Sequence, residues 1–241
     1  MRSYKRYTRR KRLLKHIVVV ALVFMLGLVL LRAVSYIAIQ GEIPMINSFN
    51  LFRREADTSF GWNLILVNDD YRIPRNYEVE LTELSNGEKV DSRIYPQLQQ
   101  MFDDARTEGL ELFVREGYRT TQDQKNIMNE RIQKYQDEGY SRWEAKERAE
   151  EYVAEPGTSE HELGIAVDIN ADTSKCSSDA VYTWLANNAY KYGFIKRYPD
   201  DKTEITGVNN EPWHYRYVGV DSAIEMQEKG LCLEEYIESL R

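Results

Sequence analysis

The sequence predicts an α+β domain, with a small antiparallel sheet flanked by helices, preceded by one N-terminal transmembrane helix. Three observations carry that reading. Segments of period-two alternation are interspersed with segments of helical spacing, as a layered α+β domain requires. An Asn86-Gly87 pair between two such segments marks a hairpin-type turn. A long apolar run lies near the N-terminus, directly after a cluster of positive charge.

Of 241 residues, 42% are apolar, enough for one substantial domain. The net charge of −7 is unevenly spread. Residues 1–16 carry eight cations (Arg2, Lys5, Arg6, Arg9, Arg10, Lys11, Arg12 and Lys15) and no acid. Removing those eight from the 32 Lys and Arg leaves 24 against 39 acids, or −15 for the remainder. So acidic a remainder argues against a nucleic-acid partner. Beside an apolar run, the basic tail follows the positive-inside rule and stays cytoplasmic.

Ile17 to Leu31 is unbroken apolar sequence. Fifteen helical residues rise about 22 Å, short of a hydrocarbon core of about 30 Å. Continuing to Ile39 closes the gap, with Arg32 reaching to the outer headgroups. The expected organisation is a basic cytoplasmic tail at 1–16, a membrane anchor at 17–39, an extracytoplasmic linker at 40–61 and a domain at 62–241. A cleaved signal peptide competes with the anchor, since Ala33-x-Ser35 resembles a cleavage site, although Arg32 suits it poorly. On either reading the domain lies outside the cytoplasmic membrane.

Within the linker a short helix is expected around Phe49 to Glu55. Trp62 to Val67 reads as the first strand and Tyr77 to Leu81 as another. Tyr95 to Thr107 places Leu98, Met101, Phe102 and Ala105 at helical spacing. Leu110 to Val114 is a strand leading into a turn at Gly117-Tyr118-Arg119. Gln122 to Glu138 and Arg142 to Val153 read as charged helices with solvated faces, separated by Gly139. Ala180 to Tyr192, Asp221 to Lys229 and Leu233 to Leu240 complete the helices. Cys176 and Cys232 lack metal-type spacing, and a disulfide between them is an open alternative.

The chemistry gathers in two stretches. The chain has three histidines, and two of them, His161 and His214, sit beside carboxylates and Gly or Pro turns. Gly157 and Gly164 bracket His161 and disfavour a long helix there. From Gly164 onward, Ile165, Val167 and Ile169 alternate with Ala166 and Asp168. A strand would therefore project Asp168 from the face opposite the β-branched residues. Pro212 biases Glu211 towards extended backbone, and Trp213, Tyr215 and Tyr217 alternate with His214 and Arg216. Two such strands side by side would bring two His and one carboxylate onto one surface, the ligand set of a catalytic zinc. The helical His-Glu-x-x-His motif fails because position 165 is Ile, so Glu162 reads as an ordinary loop carboxylate.

Ser159-x-His161-x-x-Gly164-x-Ala166-x-Asp168 followed by Glu211-x-x-His214 resembles the zinc D,D-peptidase family that includes VanY-type D-alanyl-D-alanine carboxypeptidases. The resemblance continues through Gly117-Tyr118-Arg119-Thr120 and Gln124, then Gly193-Phe194-Ile195 with Arg197-Tyr198-Pro199. It reaches Glu204-Ile205-Thr206-Gly207 and Gly230 to Tyr236, from about Trp62 to the C-terminus. It implies one Zn2+ per chain, on the sheet, held by His161, Asp168 and His214. Glu211 would be the general base and Arg119 would stabilise the oxyanion or clamp a terminal carboxylate. Gln124 and Ser159 match positions that hydrogen-bond the substrate's end, and Tyr198 and Trp213 match pocket-lining positions. Thr120 departs from the Ser of many relatives and keeps the hydroxyl. The implied substrates are peptidoglycan pentapeptide stems or their lipid-linked precursors, losing a terminal D-Ala, in a setting of vancomycin-type resistance. An L,D-carboxypeptidase acting on tetrapeptide stems is the alternative within the family. A wall-binding module with a purely structural zinc would need neither Glu211 nor Arg119. A non-haem iron oxygenase shares the two-His, one-carboxylate set but not the exported location.

Overall fold

A computed structural model describes residues 53–241. The basic tail, the anchor and most of the linker lie outside the described residues. Among the described residues no helix is long and apolar enough to cross a membrane.

The centre of the domain is a four-stranded antiparallel sheet of β5 (Leu112–Glu116), β6 (Ala166–Ala171), β8 (His214–Tyr217) and β7 (Phe194–Lys196), in that spatial order. A hairpin of β3 (Leu81–Glu83) and β4 (Lys89–Asp91) turns at Asn86-Gly87, as its turn chemistry requires. The fold is thus α+β with a small antiparallel sheet. One further ladder, β1 (Arg54–Glu55) with β2 (Tyr71–Arg72), is parallel.

The helix α1 (Tyr95–Thr107) buries Leu98, Met101, Phe102 and Ala105, the stripe that its spacing predicts. It packs with α4 (Ser178–Asn188) into a core around Ile165, Val167 and Ile169 of the sheet. A second core beneath β7 and β8 joins Val218 to α6 (Val220–Lys229) and α7 (Leu233–Ser239), the helices that close the chain. Between β5 and β6, α2 (Thr121–Asp137) and α3 (Arg142–Glu150) pair over a small cluster of Met128, Ala149 and Val153. Thr120 caps α2, its hydroxyl accepting from the Asp123 backbone N–H at 3.1 Å. The hydroxyl shared with Ser at this position therefore serves the helix.

Several elements differ from the sequence reading. Trp62–Leu64 forms a 3-10 turn, and the residues to Val67 run extended without a strand partner. The cause is Arg216, whose Nη2 donates to the carbonyls of Asn63 and Ile65 at 3.2 and 2.8 Å and occupies acceptors that a ladder would use. The linker expectation also shifts. Ala56 is buried in the main core and Arg54–Glu55 is strand rather than helix, so the compact unit runs from Arg53 to Arg241. Tyr77 to Glu80 is not strand; the ladder begins at Leu81. The segment after Asn188 tightens into a 3-10 turn, Ala189–Tyr192. Both cysteines are free: Cys176 Sγ lies against the Glu111 backbone, and Cys232 is buried at the N-cap of α7.

Gly117 follows a bulge in β5, between Val114 and Glu116. A Cβ there would lie 2.2 Å from the Lys89 carbonyl oxygen, so any side chain collides with backbone. Gly117→Ala should force β4 and the Gly117–Arg119 turn apart. We expect a loss of about 1–3 kcal/mol in denaturant unfolding. Wild-type stability in this variant would contradict the close approach.

Candidate metal centre and peptide cleft

The β6–β8 register sets Asp168 directly opposite His214. His161 arrives from a single 3-10 turn, Glu160–Leu163, ended by Gly164 in the left-handed conformation at φ 74°. The predicted loop is therefore one tight turn, tied to the active-site wall by Arg119 N–H donating to the His161 carbonyl at 3.2 Å.

His161 Nε2, Asp168 Oδ1 and His214 Nδ1 converge. The carboxylate oxygen lies 3.4 Å from His161 Nε2 and 3.0 Å from His214 Nδ1. The two imidazole rings stand edge-on, 4.9 Å between centroids. The tautomers follow from what the other ring nitrogens meet. His161 Nδ1 donates to the Gly117 carbonyl at 2.8 Å, which frees Nε2. His214 Nε2 faces Glu160 Oε2 at 3.4 Å, which frees Nδ1. Two imidazoles held by outer partners and one carboxylate, with their donor atoms within 4.8 Å of one another, fit a zinc ion with a position left open.

Electrostatics agree with ligation. Burial lowers the pKa of His161, and the Arg119 charge lowers it further, so this ring is neutral and ready to bind. Burial opposes protonation of His214 as well, but the Asp168 and Glu160 carboxylates prevail and push it up to about 9. A cation binding at Nδ1 takes the place of that proton, so metal uptake near neutral pH releases it. Although burial disfavours its charge, Asp168 is held well below the usual carboxylate range by the two histidines.

Glu211 Oε2 lies 3.8 Å from His214 Nδ1, beside the ligand set. Burial raises its pKa above the usual value, against the pull of His214. Arg119 stands across the site, its Nη2 4.0 Å from Asp168 Oδ2. Its Nε is held by Glu116 at 3.1 Å and its Nη1 donates to Gln124 Oε1 at 3.2 Å. Gln124 is 1% exposed, and its Nε2 donates to the Ala154 carbonyl at 2.7 Å, so its amide orients Arg119 and the 154 loop. Ser159, Tyr198 and Trp213 line the same cleft, of about 270 Å³, with the Tyr198 ring 5.0 Å from that of His214. Glu162 differs from expectation. It is buried, burial raises its pKa, and it accepts from Gly157 N–H at 2.8 Å, pinning the turn before Ser159.

Sequence reasoning missed Glu160, Arg197 and Arg216. Glu160 Oε1 accepts from Arg197 Nε at 2.8 Å and lies 2.9 Å from Arg216 Nη1, all three fully buried. Arg197 continues to Glu234 on α7, at 2.8 and 2.5 Å. Burial works against the charge on Glu160, yet the two guanidiniums hold its carboxyl far below the ordinary range. The available signal was an arginine directly after one strand stretch, Arg197, and another inside the next, Arg216, because a buried cation implies an anion that the sequence does not locate.

The fold and the site together define a metallopeptidase of the two-histidine, one-carboxylate type. The chain belongs to the VanY family of D-alanyl-D-alanine carboxypeptidases, whose profile matches residues 87–220. It is 53% identical over 196 residues to a D-alanyl-D-alanine carboxypeptidase of Enterococcus faecalis (strain ATCC 700802 / V583), covering 81% of this chain and 73% of that one. A solved VanYB in complex with D-alanine-D-alanine superposes with a TM-score of 0.73 at 56% identity, covering 75% of this chain and 99% of that one. The vancomycin resistance D,D-pentapeptidase VanY from a VanB-type cassette, in complex with Zn(II), gives 0.71 at 57%, covering 73% and 99%. The LdcB LD-carboxypeptidase gives 0.64 at 35%, covering 78% and 97%. The protein is a zinc-dependent D,D-carboxypeptidase.

Glu160→Gln should leave two buried guanidiniums short of a partner charge and loosen the His214 ring. We expect about 3–5 kcal/mol lower stability in denaturant unfolding and zinc affinity reduced about 10- to 100-fold in chelator competition. Unchanged affinity would detach Glu160 from the metal centre. The depressed pKa means that the wild-type contribution is present above the unfolded carboxyl pKa, near 4.5, and is lost as pH falls below it. The pH dependence of unfolding should be shallower in the variant.

Proposed function

We propose that this enzyme removes the C-terminal D-Ala from peptidoglycan pentapeptide stems or their lipid-linked precursors, contributing to vancomycin-type resistance. The observation carrying this reading is the convergence of His161, Asp168 and His214, with the Glu211 carboxylate beside them and the Arg119 guanidinium opposite. Relatives whose names state D-Ala-D-Ala binding and vancomycin resistance support the substrate and its setting.

His161 Nε2, Asp168 Oδ1 and His214 Nδ1 would hold the zinc. When bound, zinc supplies Lewis acidity at the scissile carbonyl and lowers the pKa of water towards about 7. Glu211, with a raised pKa, accepts a proton from the attacking water and delivers it to the leaving amine of D-Ala. Arg119 has N–H groups beyond those held by Glu116 and Gln124, and these clamp the substrate's free carboxylate or developing oxyanion. Gln124 orients that guanidinium, Ser159 contributes a hydroxyl to the cleft, and Tyr198 and Trp213 wall it.

We further propose that residues 17–39 anchor the chain in the cytoplasmic membrane, with residues 1–16 inside and the domain outside. The charge asymmetry around the apolar run supports this topology.

Glu211→Gln should retain zinc by elemental analysis while kcat falls by about 10²–10⁴, whereas His214→Ala should lose the metal. A Glu211→Gln variant within a few-fold of wild type would remove Glu211 as the base. On matched synthetic stems, a free-acid pentapeptide should release one D-Ala, detected by mass spectrometry, and its C-terminal amide should react far more slowly. Equal cleavage of the amide would exclude the carboxylate clamp, and preference for a tetrapeptide would reassign the enzyme as an L,D-carboxypeptidase. Protease added to intact protoplasts should digest the domain and spare the N-terminal tail. Recovery of a chain starting near Tyr36 from the medium would instead indicate signal cleavage.

A further inference from the structure

The cleft extends beyond the metal centre along one face of α2. Gln124, Ile127 and Arg131 all line it, and their spacing of three and seven residues keeps them on a single helix face. Gln124 marks the catalytic end, because it holds Arg119. Arg131 lies two turns further on, about 10 Å along the axis at 1.5 Å per residue.

Arg131 is partly buried, and among the described residues it forms no ion pair. Its guanidinium carbon lies 5.9 Å from the centre of the Tyr152 ring. The acids around the same end are differently placed. Glu150 is paired with Lys146, Asp69 lies 3.6 Å from Arg53, and Glu151 is exposed on the rim. Among the described residues Arg131 is therefore a cation without an anionic partner, on the wall of the space that a longer substrate would enter. On a purely solvated helix face it would point away from the cleft.

The distance selects what it meets. Three residues of extended peptide span about 10 Å. An extended chain whose terminal carboxylate sits at the Arg119–Gln124 end of the cleft and which runs along α2 would bring the residue three positions upstream beside Arg131. In a pentapeptide stem that residue is the second, a γ-linked D-glutamate whose α-carboxylate is either free or amidated. In a tetrapeptide stem the same spacing brings the first residue there, which carries no acidic side chain.

We propose that Arg131 forms a subsite for the free α-carboxylate at the second position of a pentapeptide stem, making it a specificity-determining residue. This deepens the carboxypeptidase reading and rests on it. Arg131 touches none of the reacting atoms; its charge selects for stem length and for the non-amidated stem.

The test compares kcat/KM for D-Ala release by the zinc-loaded wild type, Arg131→Gln and Arg131→Glu. Three free-acid substrates are used: the pentapeptide with second-position γ-D-Glu, the same peptide with that α-carboxylate amidated, and a tripeptide lacking positions one and two. Wild type should favour the free carboxylate over the amide by about five- to ten-fold, mainly through KM. Arg131→Gln should cleave both pentapeptides equally and Arg131→Glu should prefer the amide, while both retain wild-type rates on the tripeptide. That tripeptide rate also shows that the variants are folded and metallated. Equal cleavage of both pentapeptides by wild type, or discrimination that persists in Arg131→Gln, would overturn the proposal. Failure of wild type to release D-Ala from all three would instead overturn the carboxypeptidase reading, and the subsite with it.

Discussion

The antiparallel ladder between β6 and β8 places Asp168 across from His214, and the functional geometry depends on that register. Side chains alternate faces along a strand, so a slip of one residue would send either ligand to the opposite side of the sheet. The slip is blocked by the residues flanking the ligands. Val167 and Ile169 on β6 and Tyr215 on β8 are buried in the main core, and shifting them would expose them. Hydrophobic burial on one face thus positions metal ligands on the other.

His161 enters by a different route. It rests on backbone contacts, with its ring donating to Gly117, its carbonyl accepting from Arg119, and Gly164 ending the turn beneath it. The Gly117–Arg119 turn consequently supports a ligand and presents the guanidinium facing it. Close approach to the Lys89 carbonyl explains why Gly occupies position 117.

Beneath the metal centre runs a buried ionic chain from Glu234 through Arg197 to Glu160, with Arg216 joining at Glu160. Charges so deeply buried persist only when paired, and here the pairing also has a directional consequence. Glu160 engages Nε2 of His214 and leaves Nδ1 facing Asp168 and Glu211. The terminal helix α7 is thereby linked electrostatically, through Arg197 and Glu160, to the orientation of the His214 ring. Arg216 also draws the carbonyls of Asn63 and Ile65 inward, which is why an apolar stretch that resembles a strand lacks a ladder partner.

Much of this protein was legible in its sequence because the relevant forces are local. The apolar stripe of α1, the turn at Asn86-Gly87 and the alternation around Asp168 each follow from the periodicity of a short segment. The scarcity of histidine made His161 and His214 conspicuous, and their neighbours carried the family resemblance. Tertiary structure alone decided which nitrogen of each imidazole is available, because that depends on Gly117 and Glu160 approaching from elsewhere in the chain. It also decided that Gln124 orients Arg119 through a buried amide, that Glu162 pins a turn, and that Glu160, Arg197 and Arg216 form one network. Ion pairs and hydrogen bonds between residues distant in sequence leave no periodic signature, since their partners are chosen by the packing that brings them together.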